Sequence, residues 1–333
     1  MVSQKKSDKN LIFNKVLSLP FQDTSVGLYR ILSPVIKAKQ KGLIKDNLCY
    51  PFTGDNQTQF ATYPDSFWME LCKGADVVHS TILANKDMIL KFMNLRKHFG
   101  FKLFFDIDDN LYSVSTDNPA AKQVERLKET FESCLSICDG VTVSVPNLKK
   151  VYSHLHDNIY VNPNFVNKEM FDFPRKKHKG IRIGWRGAYG HKDDLEMIRP
   201  VIEAIKKDFN ITFVTLGWNP GWSDEHHEWV DSFAFPKKLA SLNLDLALVP
   251  LIDSAYNRCK SNLAYLEYSA LGIPTVTSPV ENQKGCGINA KSSYEWYEAI
   301  KKLIKEKPTV KFVDTENVLG LYKWMKETNR KNF

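Results

Sequence analysis

From about residue 75 onward, short runs of β-branched and aromatic residues alternate with stretches of helical periodicity. Segments 75–83 and 101–108 have the composition of strands, and the intervening segment 85–100 has that of a helix that ends at Gly100. Strands that are separated by helices usually pair in parallel, so this alternation predicts βαβ units around parallel sheets. We therefore expect an α/β protein with doubly wound, Rossmann-like sheets.

A polar and basic stretch at 167–180 lacks periodicity, and the alternation restarts after it with a strand at 181–187. The chain has 333 residues, which suits two domains at roughly 100–200 residues each. We expect an N-terminal Rossmann-like domain over 1–166, a linker over 167–180 and a C-terminal Rossmann-like domain over 181–312. A last helix within 313–333 is expected to pack back on the N-terminal domain.

Two local predictions concern prolines and helix lengths. The helix that follows the first strand is expected to break near Pro34, because proline lacks the amide hydrogen that a helix needs. In the second half, one continuous helix is expected from Asp193 to Lys207.

Composition narrows the class of protein. Hydrophobic residues make up 43% and charged residues 25%, which excludes a largely disordered chain and a fibrous rod. No run approaches the roughly 18–20 apolar residues that cross a bilayer. The polar N-terminus argues against a secretory signal, and six cysteines without a CxxC pair suit a cytoplasmic protein. The net charge of +8, from 46 basic and 38 acidic residues, favours polyanionic partners.

The segment 244–279 contains the most informative candidate site. A hydrophobic strand is followed by a polar loop and by Lys260, Ser261 and Asn262, which open a helix. With Ser261 as N-cap, the free amides of this turn and the Lys260 ammonium would bind a diphosphate. Glu267 lies about two turns further on, where its carboxylate could accept hydrogen bonds from a ribose diol. A solvated helix glutamate is the alternative interpretation.

The segment 181–198 is the second candidate phosphate site. Its strand leads into Gly184 and Gly187, and glycines allow close approach of a phosphate to the backbone. Arg186, His191 and Lys192 would supply positive charge to the leaving diphosphate. A structural turn is the alternative, because the spacing matches neither the Walker pattern nor the dinucleotide fingerprint.

Acidic residues lie at the end of the strand predicted at 101–108 and directly after it. Asp106, Asp108 and Asp109 could hold a divalent metal, or one could act as base toward an acceptor hydroxyl. We favour a base or an acceptor contact, since no further acid or histidine completes a metal-ligand set. Capping of the next segment is the alternative.

The loop and helix start after the first strand provide further candidates for acceptor binding. They are Ser25, Gly27, Tyr29 and Arg30. The alternative interpretation makes Ser25 a helix N-cap.

Together these segments resemble the GT-B-fold glycosyltransferases, close to the family 4 (group 1) retaining enzymes of bacteria and phages. The most specific match is CKSNLAYLEYSALGIPTVTS at 259–278, where Glu267 matches the helix glutamate that holds the nucleotide ribose. The resemblance implies a donor nucleotide sugar, UDP-linked, as co-substrate, with no tightly bound cofactor and no metal. Cys259 stands where the family commonly has a second glutamate, and His191 stands where it has the second basic residue of the phosphate clamp.

The resulting hypothesis is a glycosyltransferase whose C-terminal domain binds the donor and whose N-terminal domain holds the acceptor near Gly27, His79, Asp108 and Asp109. The site is expected in a cleft between the two domains. The acceptor would be a hydroxylated base in phage DNA or a cell-surface or lipid-linked glycan at the inner membrane face. A non-catalytic nucleotide- or sugar-binding module and a nucleotide-sugar epimerase remain alternatives.

Overall fold

A computed structural model of the chain describes residues 10–21, 24–49, 60–83, 85–118 and 121–331. The polar N-terminus at 1–9, on which the prediction about a secretory signal depends, lies outside the described residues. The chain divides into two compact units: unit 1 comprises Met1–Asn164 and Glu316–Phe333, and unit 2 comprises Phe165–Thr315.

Unit 1 is built on a parallel sheet with the strand order β2-β1-β3-β4-β5-β6. The central strands are almost entirely buried, as a sheet covered by helices on both faces requires. The strands are β1 (Phe13–Leu19), β2 (Ile44–Cys49), β3 (Val77–Thr81), β4 (Lys102–Ile107), β5 (Gly140–Val143) and β6 (Ile159–Val161).

The helices of unit 1 include one that begins and ends at residues with recognisable local roles. Asn85 caps the third of them, because its Oδ1 accepts hydrogen bonds from the amides of Asp87 and Met88 at 2.9 and 3.1 Å. Gly100 ends the same helix with a φ of 75°, which favours glycine. The helices are α1 (Ser33–Gln40), α2 (Asp65–Cys72), α3 (Lys86–Phe99), α4 (Ala121–Ser136) and α5 (Pro146–Tyr152).

The predicted break near Pro34 is wrong, because the helix continues through it in a different hydrogen-bond register. Gly27–Leu32 forms a π-helical segment that runs directly into α1. The amide of Ser33 donates to the carbonyl of Leu28, five residues earlier. Since Pro34 has no amide hydrogen to donate, a wider turn before it accommodates the proline without ending the helix.

Unit 2 repeats the architecture around a second parallel sheet with the order β12-β11-β10-β7-β8-β9. Its strands are β7 (Ile181–Gly187), β8 (Ile211–Gly217), β9 (Glu225–His227), β10 (Leu246–Val249), β11 (Thr275–Thr277) and β12 (Ile288–Asn289). Its helices are α6 (Lys192–Glu196), α7 (Arg199–Asp208), α8 (Phe235–Ser241), α9 (Leu263–Ala270) and α10 (Ser293–Glu306). No described helix of the chain has the length and apolar character needed to cross a bilayer.

Two boundaries in unit 2 differ from the sequence predictions. The single helix expected over 193–207 is two helices, α6 and α7, and Pro200 lies in the first turn of α7, where its missing amide hydrogen costs little. The stretch 167–180, interpreted as a linker, belongs to unit 2: Lys168–Phe171 forms a 3₁₀ turn, and Phe171 is buried.

A last helix, α11 (Val318–Glu327), belongs to unit 1 although unit 2 precedes it in the chain. The Trp324 ring stacks on Tyr160 with a centroid distance of 5.0 Å, and its Nε1 donates to Asn158 Oδ1 at 2.9 Å. A Cβ at Gly140 would lie 2.7 Å from this indole, so the glycine makes room for it. The Lys102 ammonium donates to the carbonyls of Met325 and Lys326 near the end of the helix.

Candidate functional site

The carboxyl ends of parallel strands meet at one edge of a sheet, and in unit 2 this edge brings together Arg186 and Glu267. Arg186 is the penultimate residue of β7, and Glu267 lies in α9. The Arg186 guanidinium donates to Glu267 Oε2 and forms an ion pair with it. Glu267 is only 1% exposed, whereas the Arg186 side chain is 18% exposed. The structure therefore excludes the alternative in which Glu267 is a solvated glutamate on a helix surface. Of the two paired side chains, Arg186 is the one that reaches solvent.

Several aromatic residues lie near the end of β7. The Arg186 guanidinium lies 5.9 Å from the centroid of the Phe235 ring, a distance at which a cation is attracted to an aromatic face. The Trp218 ring packs edge-on against Tyr189 at 6.0 Å, and Trp229 is 46% exposed. Phe235 is buried and its ring packs against that of the exposed Trp229 at 5.4 Å, so the arginine lies near aromatic residues, which suits a ligand with an anionic and a planar part.

A second cluster in unit 2 is organised by Asp194, a buried carboxylate in α6. Its Oδ2 accepts a hydrogen bond from His191 Nδ1 at 2.8 Å. Its Oδ1 accepts from the amide of Ile252 at 2.7 Å and from Asn257 Nδ2 at 2.8 Å. Asp194 thereby ties the turn after β7 to the loop after β10, which leads to Lys260.

Lys260 lies at the end of that loop, directly before α9. Its Nζ donates to Tyr256 Oη at 3.0 Å and lies 4.4 Å from the centroid of the same ring. Its backbone amide donates to the carbonyl of Asn257 at 3.0 Å, so the loop and the lysine are held by the residue that Asp194 anchors. Lys192, the first residue of α6, lies 6.0 Å from the centroid of the Tyr189 ring.

The predicted N-cap role of Ser261 is wrong. Helix α9 begins at Leu263 with Asn262 as its N-cap, and no side chain caps the helix. The Ser261 carbonyl accepts from Gln283 Nε2 at 2.8 Å, and Asn262 Nδ2 contacts Cys286 Sγ at 3.5 Å. The segment after β11 therefore holds this turn through hydrogen bonds.

The glycines of β7 have packing roles that the phosphate interpretation did not anticipate. A Cβ at Gly184 would overlap the side chain of Leu244, and a Cβ at Gly187 would overlap the Trp185 indole. Gly184 lies in mid-strand beside Ala247 of β10. We therefore correct its predicted contact with phosphate: Gly184 is needed for packing within the sheet.

In unit 1 the predicted acceptor residues Arg30 and Asp106 are buried against each other. The Arg30 guanidinium donates from Nε and Nη2 to the two Asp106 oxygens at 3.0 and 2.8 Å. Both side chains are at most 1% exposed. Nη1 donates to the carbonyl of Asn162 at 2.5 Å and to Asn164 Oδ1 at 2.9 Å. Their predicted acceptor contacts are corrected to a structural role, because neither member of this pair reaches solvent and both Asp106 oxygens accept from Arg30.

His79 and Tyr29 are also buried, each 1% exposed, and the same correction applies to them. His79 lies in β3 with its Nε2 3.1 Å from Thr142 Oγ1, and Thr142 Oγ1 donates to Asp106 Oδ2 at 2.5 Å. Burial lowers the pKa of His79 to about 4, although Asp106 opposes the shift. The ring is therefore neutral near pH 7 and is enclosed in the interior.

Asp108 and Asp109 are half-buried and lie beyond the carboxyl end of β4. The Tyr152 hydroxyl donates to the Asp109 carbonyl at 2.7 Å and accepts from the amide of Leu111 at 3.0 Å, which holds the loop in place. Ser25 is exposed at the start of the first helix, and Gly27 is buried in its π-helical segment. Among the described residues, no group of three His, Cys, Asp or Glu side chains is arranged to hold a metal ion.

Sequence reasoning missed Asp194, Asn257 and Tyr256 as members of the site. The signal for Asp194 was its spacing, because a residue three positions after His191 lies on the same side of a helical turn. Asn257 and Tyr256 lie 63 and 62 positions after Asp194 in the chain, and nothing in the local sequence indicates that this loop contacts α6.

No protein-family model and no curated protein matches this chain. Solved structures do match its fold. A glycosyltransferase from Rickettsia africae covers 94% of this chain and 93% of its own, with a TM-score of 0.55 and 12% identity. The Anabaena protein HepE, solved in complex with UDP and glucose, covers 94% and 95%, with a TM-score of 0.55 and 9% identity.

A third match is the UDP-GlcNAc 2-epimerase from Methanocaldococcus jannaschii, which covers 93% of this chain and 98% of its own, with a TM-score of 0.51 and 13% identity. Identities this low show the fold alone. The two parallel six-stranded sheets of this chain, in the arrangement of strands and helices that these proteins share, identify it as a protein of the GT-B fold.

Proposed function

We propose that this protein transfers a sugar from a nucleotide-sugar donor to an acceptor hydroxyl. The observation that carries the proposal is the Arg186–Glu267 ion pair at the carboxyl edge of the unit 2 sheet. A carboxylate accepts hydrogen bonds from the two hydroxyls of a ribose, and a guanidinium donates hydrogen bonds to a phosphate. Glu267 and Arg186 could therefore bind the ribose and the diphosphate of one nucleoside diphosphate. In HepE, which has the same fold, the bound molecules are UDP and glucose.

The donor site in this proposal consists of unit 2 residues. The Arg186 side chain turns toward the diphosphate, together with His191, Lys192 and Lys260, and the Glu267 carboxylate that it uncovers accepts hydrogen bonds from the ribose. Negative charge develops on the diphosphate as the bond between the sugar and the phosphate oxygen breaks. Cations held in place before the reaction stabilise that charge more than they stabilise the bound donor, which accelerates bond cleavage.

Unit 1 supplies the acceptor side through Asp108, Asp109, Ser25 and Gly27, which lie at or near the carboxyl edge of its sheet. If the configuration of the sugar is retained, the departing phosphate takes the acceptor proton. If it is inverted, Asp108 or Asp109 takes the proton as general base. The anomeric configuration of the product, measured by NMR, distinguishes these two routes.

Two classes of acceptor are compatible with this proposal, and the charge of the chain favours the first. With a net charge of +8, a polyanion such as DNA with hydroxylated bases is one class, and a cell-surface or lipid-linked glycan at the cytoplasmic membrane face is the other. Binding of a nucleic acid weakens steeply as salt concentration rises, whereas binding of a neutral glycan does not. Acceptor affinity at two salt concentrations therefore separates the classes.

The donor site is tested by Glu267→Gln, which keeps the shape of the side chain and removes its charge. Wild type is expected to gain several degrees in unfolding temperature at saturating UDP, because a ligand that binds the folded state stabilises it. Glu267→Gln is expected to lose at least tenfold in UDP affinity. The matched control is Glu298→Gln, a surface glutamate of α10 paired with Lys301. Wild-type protein that binds no nucleoside diphosphate would contradict the proposal.

A nucleotide-sugar epimerase is the second candidate, because the M. jannaschii enzyme has the same fold. An epimerase changes the sugar without an acceptor, whereas a transferase needs one. Incubation of the protein with UDP-GlcNAc alone, followed by NMR of the sugar, distinguishes them. Appearance of the C2 epimer without acceptor would favour the epimerase.

A further inference from the structure

His156 is a buried residue of unit 1 that contacts the residues holding the last helix, α11. It follows α5 in the chain and is only 3% exposed. Its Nδ1 accepts a hydrogen bond from the amide of Asn158 at 3.0 Å, and its Nε2 lies 3.3 Å from the carbonyl oxygen of Cys138. Because Nδ1 accepts, the hydrogen of the neutral ring is on Nε2, which donates to Cys138. The ring is therefore held as one neutral tautomer.

The first link from His156 to α11 runs through Asn158. The Asn158 Oδ1 accepts from Trp324 Nε1 at 2.9 Å, and its Nδ2 donates to Thr328 Oγ1 at 3.1 Å and to the carbonyl of Asp139 at 2.8 Å. A proton on Nδ1 of His156 would occupy the lone pair that accepts from the Asn158 amide. Protonation therefore breaks the hydrogen bond that fixes the residue to which α11 and its C-cap are bound.

The second link is a direct contact with Lys331, beyond the end of α11. Lys331 Nζ lies 2.9 Å from His156 Nε2. The backbone of Lys331 is held as well: its amide donates to Asp139 Oδ1 at 2.7 Å, and its carbonyl accepts from Arg96 at 2.9 Å. Arg96 and Asp139 form a buried ion pair, so the Asp139 charge is already balanced. A protonated ring would place two positive charges side by side, which is unfavourable.

The other titratable groups near the ring do not supply a charge that would hold a proton on it. Burial lowers the pKa of His156 and Lys331 lowers it further, whereas Asp157 has a smaller, opposite effect. Burial also raises the pKa of the Cys138 thiol to about 12, so that this group is neutral near pH 7. His154, two residues earlier in the chain, is exposed. The surroundings of the ring therefore favour its neutral form.

We propose that His156 is a pH-sensitive latch, which keeps α11 and the segment 328–331 docked on unit 1 only while its ring is neutral. Undocking exposes the ring to water, where a histidine titrates near pH 6.5. The undocked state then binds a proton more readily than the docked state. Docking is therefore strongest above about pH 6.5 and weakens as pH falls below that value. The latch concerns the assembly of unit 1 and is independent of the proposed donor site in unit 2.

Hydrogen exchange of the full-length protein at pH 7.0 and pH 5.5, corrected for the intrinsic exchange rate at each pH, measures the opening of α11. In wild type its opening equilibrium is expected to rise about fivefold between these pH values, because one additional proton binds the undocked state. Helix α10 in unit 2 is the internal reference. Exchange in β3 reports separately on unfolding of the whole of unit 1, to which the buried His79 also contributes.

His156→Asn removes the titrating ring and keeps an acceptor, because an asparagine side chain can accept from the backbone amide two residues later. The rise in the opening of α11 is expected to shrink from about fivefold to less than about twofold, with the response of β3 unchanged. His154→Asn, at the exposed histidine, is the matched control and should keep the full response of α11.

Lys331→Gln tests the second link through the titration of His156 itself, followed by NMR of the ring. Since Lys331 lowers the pKa of His156, its removal is expected to move the titration midpoint to higher pH and to weaken the pH response of α11. Lys323→Gln, at an exposed lysine of α11, is the control and should leave the midpoint where it is. If His156→Asn does not fold, this titration carries the test, because Lys331 is exposed.

Three outcomes would overturn the inference. A His156 ring that titrates near pH 6.5 in folded wild type would show that docking does not disfavour its proton. Equal pH responses of α11 in folded His156→Asn and in wild type would show that another group controls docking. Equal increases of exchange in α11 and β3 of wild type would show unfolding of unit 1 as a whole. All three leave the proposed function intact, because none of them involves nucleotide binding.

Discussion

Buried polar side chains in unit 1 form one connected group in which the charges neutralise each other. Arg30 makes a two-point contact with Asp106, and Thr142 and His79 continue the chain of hydrogen bonds. Removing two charges from water is costly, and good geometry with additional hydrogen bonds offsets that cost. These hydrogen bonds join the first helix to β3, β4 and β5. Arg30, Asp106 and His79, which the sequence suggested as functional residues, therefore stabilise the fold.

The depressed pKa of His79 gives this group a measurable dependence on pH. The folded-state pKa is about 4, below the ordinary 6.5, because burial disfavours the charged ring. Between these values the unfolded chain binds a proton that the folded protein does not. The free energy of unfolding therefore falls as pH decreases from 6.5 to 4, by about 3 kcal/mol in total from this residue.

His79→Gln is expected to remove this part of the pH dependence. Urea unfolding at pH 7 and pH 4.5 measures it, and the loss of stability between the two should be about 2–3 kcal/mol smaller in the variant than in wild type. His98→Gln, at an exposed histidine of α3, is the control and should leave the difference as it is. An equal pH dependence in His79→Gln and wild type would show that the histidine is not held neutral by burial.

At the scale of elements, close packing decides the role of β7. The strand pairs with β8 on one side and β10 on the other, and Gly184 leaves room for Leu244 at its surface. Arg186 lies two residues after Gly184 in the same strand. The same glycine that suggested a phosphate loop is therefore a requirement of the sheet that positions the arginine.

Gly184→Ala is expected to destabilise the protein by about 1–3 kcal/mol, because its methyl group overlaps Leu244 in a packed core. Leu244→Ala is expected to cost about 2–5 kcal/mol alone. In the double variant the overlap is gone, so the loss should be smaller than the sum of the single losses. Chemical denaturation of the four proteins measures this coupling. Strict additivity would contradict the packing role of Gly184.

At the scale of the whole molecule, the last helix completes the unit that begins the chain. Trp324 of helix α11 stacks on Tyr160 of unit 1. The Lys102 ammonium donates hydrogen bonds to the carbonyls near the end of the helix. The Arg96 guanidinium donates to Asp139 and to the carbonyl of Lys331, which holds the segment after the helix. Unit 1 is therefore built from two parts of the chain that lie on either side of unit 2.

Removal of residues 316–333 is expected to loosen unit 1 more than unit 2. Hydrogen exchange should become faster in β5 and β6 and change little in β10 and β11. Trp324→Ala is a milder form of the same change and should cost about 3 kcal/mol. Leu319→Ala, at a side chain of α11 that is 43% exposed, is the matched control. Unchanged protection of β5 and β6 in the shortened chain would contradict this account.

The alternation of strands and helices in the sequence was sufficient to predict the fold class, because parallel sheets impose apolar strands and amphipathic helices on the local sequence. It also placed Arg186 near a strand end, Lys260 before a helix and Glu267 in that helix. The alternation did not distinguish side chains that reach the surface from those that pair with each other in the interior. His79, Arg30 and Asp106 were misassigned for that reason.

Which side chains meet was decided by the tertiary structure. Arg186 and Glu267 are 81 positions apart, and Asp194 and Asn257 are 63 apart, so their contacts follow from strand order. Local sequence determines periodicity, caps and turns, because these depend on neighbours within a few residues. The burial of a charge and the choice of its partner depend on elements that only the folded chain brings together, and the candidate diphosphate site is made of such contacts.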